Sequence, residues 1–252
     1  MKQLTLSLFF LISSTTIAQE LDLITKKENT RTGKATYTVL KDNPEIKHGD
    51  YVIKSYTGNK KILVGQYKQG KKTGLWYESF YGFGFKGLKC KGEFLDDQKV
   101  GEWIYFGYNN DTSQIYNHTL GKMVFNKLAT DYQKEYWIKT DTGKYKSILD
   151  FPPTFIGGNE IFNDKKLQSL DAYPRELQTP KIDAFKIDAI VSFFVRENGE
   201  ISDIEIDKPI GYGYEEKIIN LIKNAGEWSP GVKNGKKVAA QASIPIKMRY
   251  TF

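Results

Sequence analysis

Ile187–Val195 reads IDAIVSFFV and Ile201–Asp207 reads ISDIEID, with Glu197-Asn198-Gly199-Glu200 between them. Ile187, Ala189, Val191, Phe193 and Val195 alternate with Asp188, Ser192 and Arg196, the period-two pattern of a strand with one buried face. An Asn-Gly pair between two apolar runs predicts a hairpin closed by a type I′ turn, with positive φ at both central residues. Downstream, Tyr214–Ala225 sets Ile218, Leu221, Ile222 and Ala225 on one helical stripe. Lys223 and Asn224 fall in the last turn and Gly226 follows, a helix stop. After Trp228-Ser229-Pro230-Gly231 and a second Asn-Gly, Asn234-Gly235, comes a last strand. There Ile244, Ile246, Met248, Tyr250 and Phe252 alternate with Ser243, Pro245, Lys247, Arg249 and Thr251. The helix returns the chain so that the sheet runs second strand, first strand, last strand. Pro245 belongs on an outer edge, because proline cannot donate to a ladder on both sides.

These residues, with Pro152-Pro153, Gly157-Gly158, Tyr173-Pro174, Gly199-Glu200-Ile201, Asn234-Gly235-Lys236 and the closing Ile244-Pro245-Ile246, resemble the C-terminal domain of TonB proteins, in the form common in Bacteroidota envelope proteins. The ordered set spans roughly residues 151–252. The family pattern would have Gly where Ile187 stands and a small residue where Leu177 stands. The resemblance implies a three-stranded antiparallel sheet with two helices, the first over Asn159–Leu170. It also implies a domain that grips an extended segment of an outer-membrane transporter. Its family-motif positions here are Tyr173, Pro174, Gly199, Trp228, Pro230 and Gly231.

Upstream lies an internal repeat. Gly65-Gln66-Tyr67 recurs as Gly92-Glu93-Phe94, and Gly74-Leu75-Trp76-Tyr77 recurs as Gly101-Glu102-Trp103-Ile104, all at the offset separating 65 from 92. His48-Gly49-Asp50-Tyr51 is a looser copy. Glycines supply the turns and the aromatics one buried row, and units that cannot bury their own faces must stack. The pattern resembles MORN-type repeats, which implies a rigid β platform. Trp76 and Trp103 are expected at equivalent buried positions. Tyr108–Tyr145 continues as antiparallel ribbon and then a linker to Pro152-Pro153.

Met1–Gln19 has Lys2 before an apolar run and Thr16-Ile17-Ala18 before Gln19, the pattern of a cleaved secretory signal peptide. The apolar run falls short of the ~20 residues of a spanning helix. The expected organisation is residues 1–18 signal peptide, 19–46 N-terminal segment, 47–148 MORN-like β-repeat domain and 151–252 TonB C-terminal-like domain. The fold class is mainly β plus α+β, and the expected location is the periplasm.

Net charge is +7, with the lysines scattered, so no nucleic-acid patch is read. Such a charge allows an acidic partner or peripheral contact with anionic lipid. Cys90, the only cysteine, excludes an intrachain disulfide and reads as a small apolar strand residue; His48 and His118 lack ligand spacing. Gly82-Phe83-Gly84-Phe85-Lys86-Gly87 spells GxGxxG, but strand pattern follows it and position 107 is Gly rather than an acid, so no dinucleotide site is read. No nucleophile elbow, HExxH or Cys–His arrangement supports catalysis, and no metal or cofactor is expected. The expected site is the free edge of the last strand, Ser243, Pro245, Lys247, Arg249 and Thr251, open to strand addition by an outer-membrane transporter or other envelope protein. Two functions stay open. One is transduction of transport energy with the N-terminal segment kept as an anchor. The other is a soluble periplasmic interaction protein without energy coupling.

Overall fold

A computed structural model describes residues 21–57, 60–80, 87–127, 134–170 and 184–251. The signal-peptide pattern, Gly82–Lys86, Tyr173-Pro174, Leu177 and Phe252 lie outside the described residues. The described residues are mainly antiparallel β with two helices, the mainly β plus α+β class.

The first sheet has nine strands in chain order: β1 (Leu23–Asn29), β2 (Gly33–Leu40), β3 (Lys47–Ser55), β4 (Lys61–Lys68), β5 (Lys71–Ser79), β6 (Leu88–Leu95), β7 (Gln98–Phe106), β8 (Thr112–Asn117) and β9 (Lys122–Asn126). The repeat explains its local geometry. Gly74 and Gly101 take φ of 63° and 60°, a left-handed conformation that glycine adopts without a Cβ penalty. Ladder irregularities accompany them opposite Val64–Gln66 and Lys91–Glu93. Two residues on, Trp76 and Trp103 fold over Gly65 and Gly92 of the preceding strands. Both indoles are buried, at 2 % and 3 % exposure. They join a row, Tyr51–Tyr67–Trp76–Phe94–Trp103, with centroids 5.0–5.7 Å apart between successive rings on adjacent strands. Trp76 and Phe94 meet edge-on at 5.7 Å. Aromatic pairs in this arrangement add about 0.5–1.5 kcal/mol beyond their buried area.

The chain then forms β10 (Glu135–Thr140), β11 (Gly143–Ile148), β12 (Thr154–Phe155), α1 (Gly158–Leu170), β13 (Ala184–Val195), β14 (Ile201–Ile206), α2 (Tyr214–Asn224), β15 (Trp228–Ser229), β16 (Gly231–Lys233), β17 (Lys236–Val238) and β18 (Ala240–Thr251). The second sheet runs β11-β10-β18-β13-β14. Its β14-β13-β18 core has the expected order, and the register pairs Ile187 with Met248 and Ile190 with Pro245. The sheet has five strands rather than three, because β10 and β11, which read as ribbon and linker after the repeats, attach to β18. The Asn198-Gly199 turn has positive φ only at Gly199 (86°); Gly199 N donates to Arg196 O and Arg196 N to Glu200 O. That is a longer hairpin closed by one left-handed glycine. The two-residue turn with both φ values positive occurs instead at Asn234 (51°) and Gly235 (72°), between β16 and β17.

The α2 stripe faces inward, with Ile218, Leu221, Ile222 and Ala225 buried and Glu216, Asn220 and Lys223 exposed. Both helices cover one face of the second sheet and share a single continuous core with the repeat sheet. Buried Gln114, on β8, fixes the seam. Its Nε2 donates to Phe155 O at 3.1 Å and its Oε1 accepts from Gly157 N at 2.9 Å. Gly158 approaches so closely that a Cβ there would sit 2.7 Å from Ser113 Oγ. The Gly157-Gly158 pair thus serves close approach of the chain to β8.

Candidate functional site: the open edge of the last strand

Backbone hydrogen bonds define which groups of β18 are available. Asp207 N donates to Ile190 O, and Ile190 N donates to Asp207 Oδ1, so Ile190 spends its backbone groups on the β14 side. Its partner Pro245 is therefore in a non-hydrogen-bonded pair with β13, and the carbonyl of Pro245 points away from the sheet. By alternation Ser243, Lys247, Arg249 and Thr251 also direct N–H and C=O outward. These are the five edge positions named from sequence. β10 occupies the edge only at its start, where Ile138 pairs with Ala240 and Lys139 N donates to Ala239 O. Beyond that point no described strand pairs with it.

The opposite edge of this sheet is protected. β14 has six residues, a register break opposite Ser192–Phe194, and Asp203 in left-handed conformation at φ 51°. Short, bulged edges resist pairing. β18 is twelve residues long and regular in its pairing with β13.

A groove of about 570 Å³ runs beside the open edge. Its floor is Phe155, Phe162 and Trp228, and Pro152 and Pro153 form part of its wall. Trp228 is held edge-on against Phe193 at 4.9 Å and Phe155 at 5.4 Å, and its Nε1 donates to Ile222 O at 3.3 Å. From α1 come Asn159, Asn163 and Lys166; from the edge come Ser243, Pro245 and Lys247; Lys134 precedes β10. Among the described residues lining the groove there are lysines and no carboxylate. Burial holds the Lys166 ammonium below its ordinary pKa. Asp188, cross-strand from Lys247, is committed to Lys186 at 3.1 Å, and that hydrogen bond holds its carboxyl below the usual range. The arrangement can take an extended backbone on the edge, an apolar side chain on the aromatic floor and acidic groups near the lysines.

The family-motif residues separate into two groups. Gly199, Trp228, Pro230 and Gly231 come together: a Cβ at Gly199 would sit 2.7 Å from Trp228 O, and one at Gly231 would sit 2.7 Å from Ala240 Cβ. They build the support under the start of β18, and of the four only Trp228 also lines the groove. Tyr173 and Pro174 lie outside the described residues. Sequence reading missed the groove itself, since Lys134, Asn159, Asn163 and Lys166 meet the edge only through folding. It also missed a readable signal. Lysine stands two residues before the repeat glycine at Lys47, Lys72 and Lys99, and each ammonium lies over an aromatic ring of its own repeat, 5.1 Å from Tyr51, 4.8 Å from Trp76 and 4.5 Å from Trp103.

Other chemistry is built into the core. Cys90 is buried in β6, and burial pushes its thiol up to about 12. His118 Nε2 lies 3.0 Å from Tyr105 Oη, and its Nδ1 lies 3.5 Å from Glu227. Among the described residues no helix is long and apolar enough to cross a membrane. Comparison of this chain with family models, with curated proteins and with solved structures finds no match.

Proposed function

We propose that the protein is a TonB-like periplasmic binding protein that grips an extended segment of an outer-membrane transporter by strand addition to β18, in the service of energy-dependent transport across the outer membrane. The observation that carries this reading is the outer edge over Ser243–Thr251, which no described strand pairs, beside a lysine-bordered groove with an aromatic floor. Main-chain hydrogen bonds would give affinity and the groove specificity. Pro245 accepts but cannot donate, so one carbonyl of the added strand finds no β18 donor there. The MORN-like platform holds the binding unit through the Gln114 seam and the shared core.

A second reading, a periplasmic scaffold without energy coupling, is favoured by one observation. The residues preceding the binding unit are folded into the nine-stranded sheet that shares its core, rather than drawn out as a long spacer. Photo-crosslinking in cells tests the reading. A photoreactive residue at Lys247 or Arg249 should capture an outer-membrane transporter, and one at Glu205 on β14 should not. Equal capture from both edges, or capture only of non-transporter proteins, contradicts the transporter assignment. Fractionation with sequencing of the mature N-terminus separates the two readings. An intact Met1 in the inner membrane supports energy coupling, and a Gln19 start in the soluble fraction supports the scaffold.

A further inference from the structure

A second cavity, of about 280 Å³, lies at the seam between β5–β7 of the repeat sheet and the elements around α1 and α2. Its apolar wall is Phe155, Ile156 and Ile161; Lys99 and Lys165 reach it from opposite sides of the seam. Two carboxylates line it: Glu78 accepts from Lys89 at 3.0 Å, and Glu227, 3.5 Å from the neutral His118, also acts favourably on the Lys99 ammonium. Lys99 Nζ donates to Tyr105 Oη at 3.2 Å and rests over Trp103, but pairs with no carboxylate among the described residues. Lys165 makes no ion pair or hydrogen bond among the described residues. Lys99 holds the same repeat position as Lys72, but at Lys99 the C-terminal elements close over the ammonium and burial lowers its pKa. The lining carries three lysines, Lys89, Lys99 and Lys165, against the two carboxylates Glu78 and Glu227, so beside its apolar wall it has room for one more anion.

We propose that this cavity binds a small amphiphilic carboxylate, with its anionic head between Lys99 and Lys165 and its apolar body against Phe155, Ile156 and Ile161. The site is separate from the β18 groove; Phe155 alone lines both. Calorimetric titration of the full chain with hexanoate, and with hexanol and hexylamine as controls, tests it. Saturable hexanoate binding is expected, weaker by about tenfold or more in Lys99→Met and in Lys165→Met, the loss of one charge-assisted hydrogen bond. Hexanol and hexylamine should bind at least about tenfold more weakly than hexanoate by the same reasoning. Near-ultraviolet circular dichroism establishes that each variant is folded, and Lys247→Met at the β18 edge should leave hexanoate binding unchanged. Absence of saturable hexanoate binding, equal binding of hexanol, or undiminished binding in both folded lysine variants overturns the proposal.

Discussion

Gly65 and Trp76 share one space: a Cβ built on Gly65 would lie 2.0 Å from Trp76 Cδ2, and one repeat on, a Cβ on Gly92 would lie 2.4 Å from Trp103 Cδ2. Each tryptophan is therefore fitted to a glycine on the neighbouring strand, which is why the two residue types recur together. Trp76→Ala and Trp103→Ala should each cost about 3–5 kcal/mol as large core truncations. Gly65→Ala and Gly92→Ala should cost about 1–3 kcal/mol or more by overpacking, with the indole pushed from its site. Denaturant melts followed by tryptophan fluorescence check this. Variants melting with the wild type would contradict the pairing.

At the seam, Gln114 is 1 % exposed and holds both Phe155 O and Gly157 N. Gln114→Ala leaves two buried backbone groups unpaired, each costing about 1–3 kcal/mol. Global stability should fall, and hydrogen exchange at Gly157 should rise before exchange in α2 does. Unchanged protection at Gly157 would show that the seam does not depend on this side chain.

On α2, Leu221 is 3 % exposed within the shared core. Leu221→Asp buries a carboxylate with no partner, a cost large enough to unfold the C-terminal sheet and helices. A dispersed amide spectrum from this variant would refute the inward assignment of the stripe.

His118 gives the fold a pH dependence. Burial first, and the charge of Lys99 second, hold its imidazole down to about 4. The Glu227 carboxylate at 3.5 Å acts in the other direction, but its side chain is 67 % exposed and screened, so burial wins. The unfolded chain binds a proton near the ordinary histidine value while the folded chain does not. Unfolding therefore takes up a proton between the two values. This contribution is complete above about pH 6.5 and is lost as pH falls toward about 4. Stability measured at pH 7 and at pH 5 should differ, and His118→Gln should narrow that difference. An unchanged difference would contradict the buried neutral imidazole.

What was legible in the chain was what local pattern encodes. The β13 alternation, the α2 stripe and the Gly–Trp repeat each follow from side-chain period and backbone sterics, and each positions its residues as read. What a period of two cannot encode is the partner. Tyr136 and Ile138 alternate like any repeat strand, yet β10 joins β18, which only the long-range fold decides. The Asn198-Gly199 turn was misread because Asn-Gly is compatible with more than one hairpin length. Pro245 carried the expectation that β18 lies outermost, because proline cannot donate to a ladder on both sides. The groove beside it was not legible, because Phe155, Phe162 and Trp228 are distant in sequence and converge on it from separate elements.

The central claim is that β18 accepts an added strand, and amide spectroscopy tests it most directly. The full chain, isotope-labelled, is titrated with extended acidic peptides from the periplasmic ends of envelope transporters. Shifts and new hydrogen-exchange protection are expected at Ser243, Lys247, Arg249 and Thr251, whose N–H groups face outward, with smaller changes at the Trp228 indole on the groove floor. Shifts centred on α2 or on the β14 edge, or no binding by any such peptide, would contradict it.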